Sequence, residues 1–299
     1  MEKMQVYIIS GFLGSGKTTL LLHLIEQWQD KKVAVLMNEY GSFNVDSKIL
    51  GDNVPMNELL NGCICCDLKS DVEVQLHDIR HRHHPDIVII EATGVAHPVE
   101  IYDACTAPSL TKIMDIRGVI TLVDGPRFLG RHQYSVTTRR LMEEQIQFAH
   151  ILLLNKSDLL EQHDIVQLTN DITALNSQAP IITTQYSAVD IAQLEGVTGR
   201  PFAAGMHHHG IQSLVYTFAG PIDSRKYVEW LRNLPSAILR VKGFIKFLDN
   251  PSQVILFQYA YGIPQYEPEI MNMPLTLVII GESLDKNRLL DQLDRLQFG

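Results

Sequence analysis

Gly11-Phe-Leu-Gly-Ser-Gly-Lys-Thr18 is the stretch that decides the fold. It fits G-x-x-x-x-G-K-[ST] in full, it follows an apolar run at 6–10, and it opens a helical stretch at 17–30. Glycines let the backbone curl until its N–H groups point at phosphate oxygens, and the helix N-terminus adds partial positive charge. Lys17 is placed to reach β- and γ-phosphates and the Thr18 hydroxyl to ligate Mg²⁺. The expected cradle is Gly11, Gly14, Ser15, Gly16, Lys17, Thr18 and Thr19.

Outward from this loop the chain alternates. Strands are expected at 6–10, 33–38, 87–91, 118–123, 151–155 and 181–184, and helices at 17–30, 68–83, 139–149 and 165–176. Several strands are continuous apolar runs, the mark of a parallel sheet buried on both faces. The fold expected is α/β, a P-loop doubly wound and mainly parallel sheet with ligands at the strands' carboxyl ends. Around 196–210 the pattern breaks into turn-rich sequence. Beyond it, strands at 214–218, 238–248, 253–261 and 275–280 and helices at 224–233 and 285–296 predict a smaller α+β domain, mainly antiparallel, with helices on one face. The domain limits read as 1–200, a histidine-containing linker at 201–212, and 213–299.

A second motif selects the base. Asn155-Lys-Ser-Asp158 stands at the end of a buried strand and matches N-K-x-D. A carboxylate at Asp158 can accept from guanine N1–H and its exocyclic amine. Adenine offers neither donor there, and the acceptor would be left unpaired. Asn155 and Lys156 are expected to brace the loop and cover the base, and Ser187-Ala188 to close over the guanine O6. The strand ending in Glu91-Ala-Thr-Gly94 supplies an acid for Mg²⁺ or its water and a glycine N–H for a γ-phosphate. Asn38-Glu-Tyr-Gly41 and Asp46 fall where a first switch is expected. Lys17, Thr18 and Glu91 are the catalytic candidates. No arginine or glutamine stands recognisably as an arginine finger or water-orienting residue, so slow intrinsic hydrolysis is expected.

Three of the four cysteines, Cys63, Cys65 and Cys66, lie within Asn61-Gly-Cys-Ile-Cys-Cys-Asp67, just before a helix. Thiolates at a helix N-terminus have lowered pKa values. They offer three ligands to a tetrahedral Zn²⁺ and also suit Cu(I) or Co²⁺. An incomplete set suits a site that loads and unloads metal. Cys105 reads as a small core or helix residue. His77, His81 and His84 share a helix face, which suits either a metal or the cations favoured at a helix C-terminus. His207-His208-His209 reads either as a collecting site for metal or as a solvated loop.

With these motifs in this order the chain resembles the CobW-type metallochaperone GTPases, relatives of the UreG and HypB nickel-insertion GTPases. Leu239-Arg-Val-Lys-Gly243 and Ile255-Leu-Phe-Gln258 look like that family's C-terminal domain. The resemblance implies GTP hydrolysis coupled to delivery of a metal, mostly zinc and in some branches cobalt, to client metalloproteins. It implies GTP/GDP, Mg²⁺ and Zn²⁺ or Co²⁺ as bound species, and it allows a homodimer. Ser42 and Met37 stand where relatives carry acidic residues, so the thiolates carry more of the metal affinity, with Glu39, Asp67 or a histidine helping. Two other readings stay open: a maturation factor for one metalloenzyme, such as a cobalt or iron nitrile hydratase, and a zinc- or redox-sensing regulator.

Composition narrows the field. The net charge of −9 gives no footprint for nucleic acid. No window holds the roughly 18 apolar residues of a membrane span, and no segment reads as a signal peptide. A cytoplasmic protein is expected.

Overall fold

The computed structural model describes residues 3–28, 30–37, 68–198, 211–260, 262–271, 273–282 and 284–299. The chain forms two compact units, Met1–Cys105 with Lys112–Gly210 and Thr106–Thr111 with Ile211–Gly299.

The first unit runs β1 (Met4–Gly11), α1 (Lys17–Gln27), β2 (Val33–Met37), α2 (Leu68–His83), β3 (Ile87–Glu91), α3 (Pro98–Cys105), β4 (Met114–Asp124), α4 (Gly125–Leu129), α5 (Val136–Gln147), β5 (Ile151–Asn155), α6 (Gln162–Leu175), β6 (Ile181–Thr183) and α7 (Ile191–Thr198). Its sheet has the order β2-β3-β1-β4-β5-β6 with every pairing parallel. β5 shows why apolar runs rather than alternation specify it. Ile151 and Leu153 pack with Leu20, Leu21 and Leu24 of α1 on one face. Leu152 and Leu154 pack with Met142 and Ile146 of α5 and Leu168 and Ile172 of α6 on the other. Each such side chain contributes about 1.5–3 kcal/mol of burial, and together they require helices on both faces. The chain leaves β1 to one side for β2 and β3, then crosses to β4 on the other. β1 is therefore the switch point, where the carboxyl ends open a crevice.

The second unit runs β7 (Ile211–Thr217), α8 (Ser224–Arg232), β8 (Ile238–Phe247), β9 (Asn250–Ala260), β10 (Ile263–Glu269), β11 (Thr276–Glu282) and α9 (Lys286–Phe298). Its antiparallel sheet has the order β10-β9-β8-β11-β7. Tyr227, Trp230 and Leu231 of α8 and Leu289, Leu293 and Leu296 of α9 share one core with Leu214, Val241, Phe257, Leu277 and Ile279. Both helices start at aspartate caps: Asp223 accepts from the Arg225 and Lys226 N–H groups, Asp285 from that of Arg288.

The structure adds elements that local pattern did not suggest. β10 carries Pro264 and Pro268, which argue against a central strand. Among the described residues it pairs only with β9, as an edge strand, where a missing N–H is tolerated. α7 runs through Thr198, into the turn-rich stretch, because Ile191 and Leu194 pack against the first unit's core. α3 and α4 are too short to show helical periodicity. Cys105 ends α3 and is buried.

Candidate nucleotide-binding site

The phosphate loop begins where β1 ends. Gly11 has φ 137 and Gly16 φ 105, conformations that side chains rarely adopt. A Cβ at Gly16 would run into Ser187 Oγ and Asn155 Nδ2, so no larger residue fits there. Gly16 is also the N-cap of α1. Among the described residues no side chain caps this helix, and its first turn carries no acid. α4, α5, α8 and α9 are by contrast capped by Asp124, Ser135, Asp223 and Asp285. An uncapped N-terminus can accept an anion's oxygens on its orphan N–H groups. Lys17 is 7% exposed, and its ammonium donates to the Gly11 carbonyl at 3.0 Å and that of Phe12 at 3.3 Å. A cation folded back on its own loop can exchange those carbonyls for phosphate oxygens.

β3 lies beside β1 with Glu91 opposite Ile9. This register brings the Thr18 hydroxyl within 2.9 Å of Glu91 Oε1, to which it donates. Gly94 follows, packed so closely on the loop that a Cβ would lie 2.6 Å from Leu13 N. Thr18, Glu91 and Gly94 are thus gathered at the loop's mouth. Thr19 follows on the first turn of α1 and is exposed.

The Asn155-Lys-Ser-Asp158 motif begins at the end of β5, two strands from β1. Asn155 is almost fully buried and acts as a brace. Its amide donates to the Ser15 carbonyl and to Ser187 Oγ, both at 2.8 Å, and its Oδ1 accepts from Ser187 N at 2.9 Å. Ser187 Oγ in turn donates to the Gly16 carbonyl at 3.0 Å. Ser187 therefore faces the phosphate loop, while the Ala188 N–H closes a turn onto Gln185 O at 3.0 Å. Asp158 stands exposed in the short 3-10 helix Ser157–Leu159. Lys156, Tyr186 and Ser187 all hold positive φ, at 61, 52 and 58. Such strain costs about 1–3 kcal/mol per residue and persists where the surroundings over-determine it.

Motif reading passed over three residues that the fold brings here. Asp124 ends β4, and its carboxylate pairs with Lys156 Nζ at 2.6 Å. Arg127, three residues on, donates to the Leu13 carbonyl and lies 5.8 Å from the Phe12 ring centroid. Gln145 of α5 is buried and donates to the Gly94 carbonyl at 3.2 Å. No motif singled out Arg127 or Gln145, and both bond to backbone carbonyls at the loop, those of Leu13 and Gly94. They lie on β4–α4 and α5, far in sequence from the motifs. The one local signal was Asp124-Gly-Pro, an N-cap and helix start at a strand's carboxyl end.

The thiolate motif Cys63, Cys65 and Cys66, the 38–46 switch candidate and His207–His209 lie outside the described residues. The His77 and His81 rings stack 6.3 Å apart. Among the described residues no group of three or more His, Cys, Asp or Glu could hold a metal ion, so His77, His81 and His84 form no such group. Among the described residues no helix is long and apolar enough to cross a membrane.

Known proteins share both units. Residues 5–183 match the family described as CobW/HypB/UreG, nucleotide-binding domain. Residues 211–297 match the cobalamin synthesis protein cobW C-terminal domain. The zinc-regulated GTPase metalloprotein activator 1 of Dictyostelium discoideum is 25% identical over 340 residues, covering 92% of this chain and 72% of that protein. The zinc chaperone YjiA of Escherichia coli K12 is 28% identical over 281 residues, covering 86% of each. The crystal structure of the zinc-bound YjiA GTPase from E. coli shares the fold, with a TM-score of 0.52 at 24% identity and 99% coverage of both chains. With the first match alone spanning more than half of its length, the chain belongs to the CobW/HypB/UreG family.

Proposed function

We propose that this protein is a GTP-hydrolysing metal chaperone that binds zinc through Cys63, Cys65 and Cys66 and passes it to client metalloproteins under control of the GTP cycle. The observation that carries the reading is the hydrogen bond from Thr18 to Glu91, 2.9 Å long, at the mouth of the phosphate loop. Glu91 is also the register partner of Met37, the last residue of β2. β2 therefore ends beside Glu91, and the cysteines follow β2 in sequence.

Each residue then has a role. Lys17 leaves the Gly11 and Phe12 carbonyls for β- and γ-phosphate oxygens. Gly11, Gly14, Ser15, Gly16, Thr18 and Thr19 supply the loop and the helix start around them. The Thr18 hydroxyl and Glu91 carboxylate are hard oxygen donors, the kind Mg²⁺ prefers, and when bound the ion would neutralise phosphate charge. Gly94 senses the γ-phosphate. Asp158 reads guanine, while Asn155, Lys156, Ser187 and Ala188 hold the loops around the base. Residues 1–200 form the GTPase, 201–212 a linker, and 213–299 the CobW-like C-terminal domain. Relatives named as zinc chaperones and as a zinc-regulated GTPase metalloprotein activator support zinc as the cargo.

The test is a competitive Zn²⁺ titration of the reduced protein with Mg²⁺ and either GDP or a non-hydrolysable GTP analogue. Coupling of about 1–3 kcal/mol predicts a roughly 5–150-fold difference in zinc affinity between the two states. Replacing the three cysteines by Ala should abolish that difference while GDP still binds. Equal zinc affinity in both nucleotide states would overturn the chaperone reading.

A further inference from the structure

We propose that Asp124 is a positioning residue for the purine base, acting through Lys156; the inference rests on the guanine reading of Asn155–Asp158. β4 and β5 pair with Asp124 opposite Asn155, so the carboxylate lies beside the start of the base loop. It is 6% exposed, and a carboxylate so far from water is costly unless it is paired. Each oxygen has a partner. Oδ2 meets the Lys156 ammonium at 2.6 Å, and Oδ1 accepts the Arg127 N–H at 3.1 Å, capping α4.

The consequence for Lys156 is specific. Its backbone is held left-handed at φ 61, and its ammonium is tied to the protein, which leaves the aliphatic stem as what it offers a ligand. An apolar stem fixed at both ends is a platform for a planar ring. Freed from Asp124, the same lysine would have to be ordered each time a nucleotide bound, and that cost appears as faster release. Asp124 reaches the phosphate loop as well, since the helix it caps carries Arg127 to the Leu13 carbonyl. One buried carboxylate therefore links the base loop to the phosphate loop.

A double-mutant cycle on release of fluorescent GDP tests this. Asp124→Asn keeps an oxygen for the Arg127 N–H but loses the charge opposite Lys156. It should speed GDP release roughly tenfold, the size of coupling that residues in contact commonly show. In a Lys156→Ala background the same change should add less than about twofold. It should also raise KM for GTP more than it lowers kcat, which a general loss of folded protein would not do. Equal acceleration in both backgrounds would leave Asp124 as a helix cap and overturn the proposal. Where Asp124→Asn does not fold, Lys156→Ala alone decides, because it must accelerate release by the same factor, and wild-type release would overturn the idea. A wild type that binds ATP as tightly as GTP removes the guanine reading and this proposal with it. A wild type that prefers GTP while Asp124→Asn releases GDP normally overturns the role of Asp124 alone.

Discussion

Buried polar side chains are distributed very differently in the two units. In the first they gather where parallel strands end: Lys17 after β1, Glu91 on β3, Asp124 on β4, Asn155 on β5 and Ser187 after β6. Among the described residues of 211–299, the buried polar side chains are Gln212, Arg240 and Thr276, and the core is aliphatic around a cluster of aromatic rings. Tyr227 meets Phe257 edge to face at 5.2 Å, Phe257 lies 5.0 Å from Tyr266, and Tyr227 lies 5.5 Å from Trp230. Burial pushes the Tyr227 phenol well above its usual range, so it stays neutral and packs as an aromatic. Strain follows the same division. Three of the four non-glycine residues with positive φ among the described residues, Lys156, Tyr186 and Ser187, follow β5 and β6, and none of the four lies in 211–299. One unit holds costly polar groups in strained loops, as a ligand site does. The other lowers its free energy mainly by packing.

Substitutions should separate the two units. The largest effect is expected in the aromatic core. Phe257→Ala removes a fully buried ring from the second unit and should cost about 3–5 kcal/mol in thermal or denaturant unfolding. Fluorescent GDP binding to the folded fraction should persist, and loss of that binding in folded protein would break the division of labour. Lys17→Ala acts in the opposite sense. It should lower kcat for GTP by about 10²–10³-fold, the scale of losing one preorganised charge or donor, while the melting temperature changes little. Hydrolysis at the wild-type rate would place the nucleotide elsewhere. Asp158→Asn should have the smallest effect, weakening GTP by about 1.5–3 kcal/mol through loss of charged hydrogen bonds to the base. A GTP-to-ATP affinity ratio unchanged from wild type would detach Asp158 from base selection.

Much of this molecule is legible along the chain because its decisive features are local. Gly11–Thr18 is contiguous, so glycine spacing and a following helix specify an anion cradle without reference to anything distant. Apolar runs such as 151–155 announce strands covered on both faces. β10 stayed hidden because its two prolines contradict a central strand and are tolerated only at an edge, a position set by its neighbours.

What tertiary structure alone decided is which distant groups meet. Thr18 and Glu91 are 73 residues apart, Asn155 and Ser15 are 140, and Lys156 and Asp124 are 32. No local pattern encodes these pairings, because they depend on strand order β2-β3-β1-β4-β5-β6 and on parallel register. That order is chosen by the burial of two helical layers against one sheet, a collective property of the core. The sequence by itself determined the class of ligand, through residues whose chemistry and spacing are adjacent. The sheet determined that Asp124, Arg127 and Gln145 stand at the same site, because only parallel pairing brings the ends of separate strands to one edge.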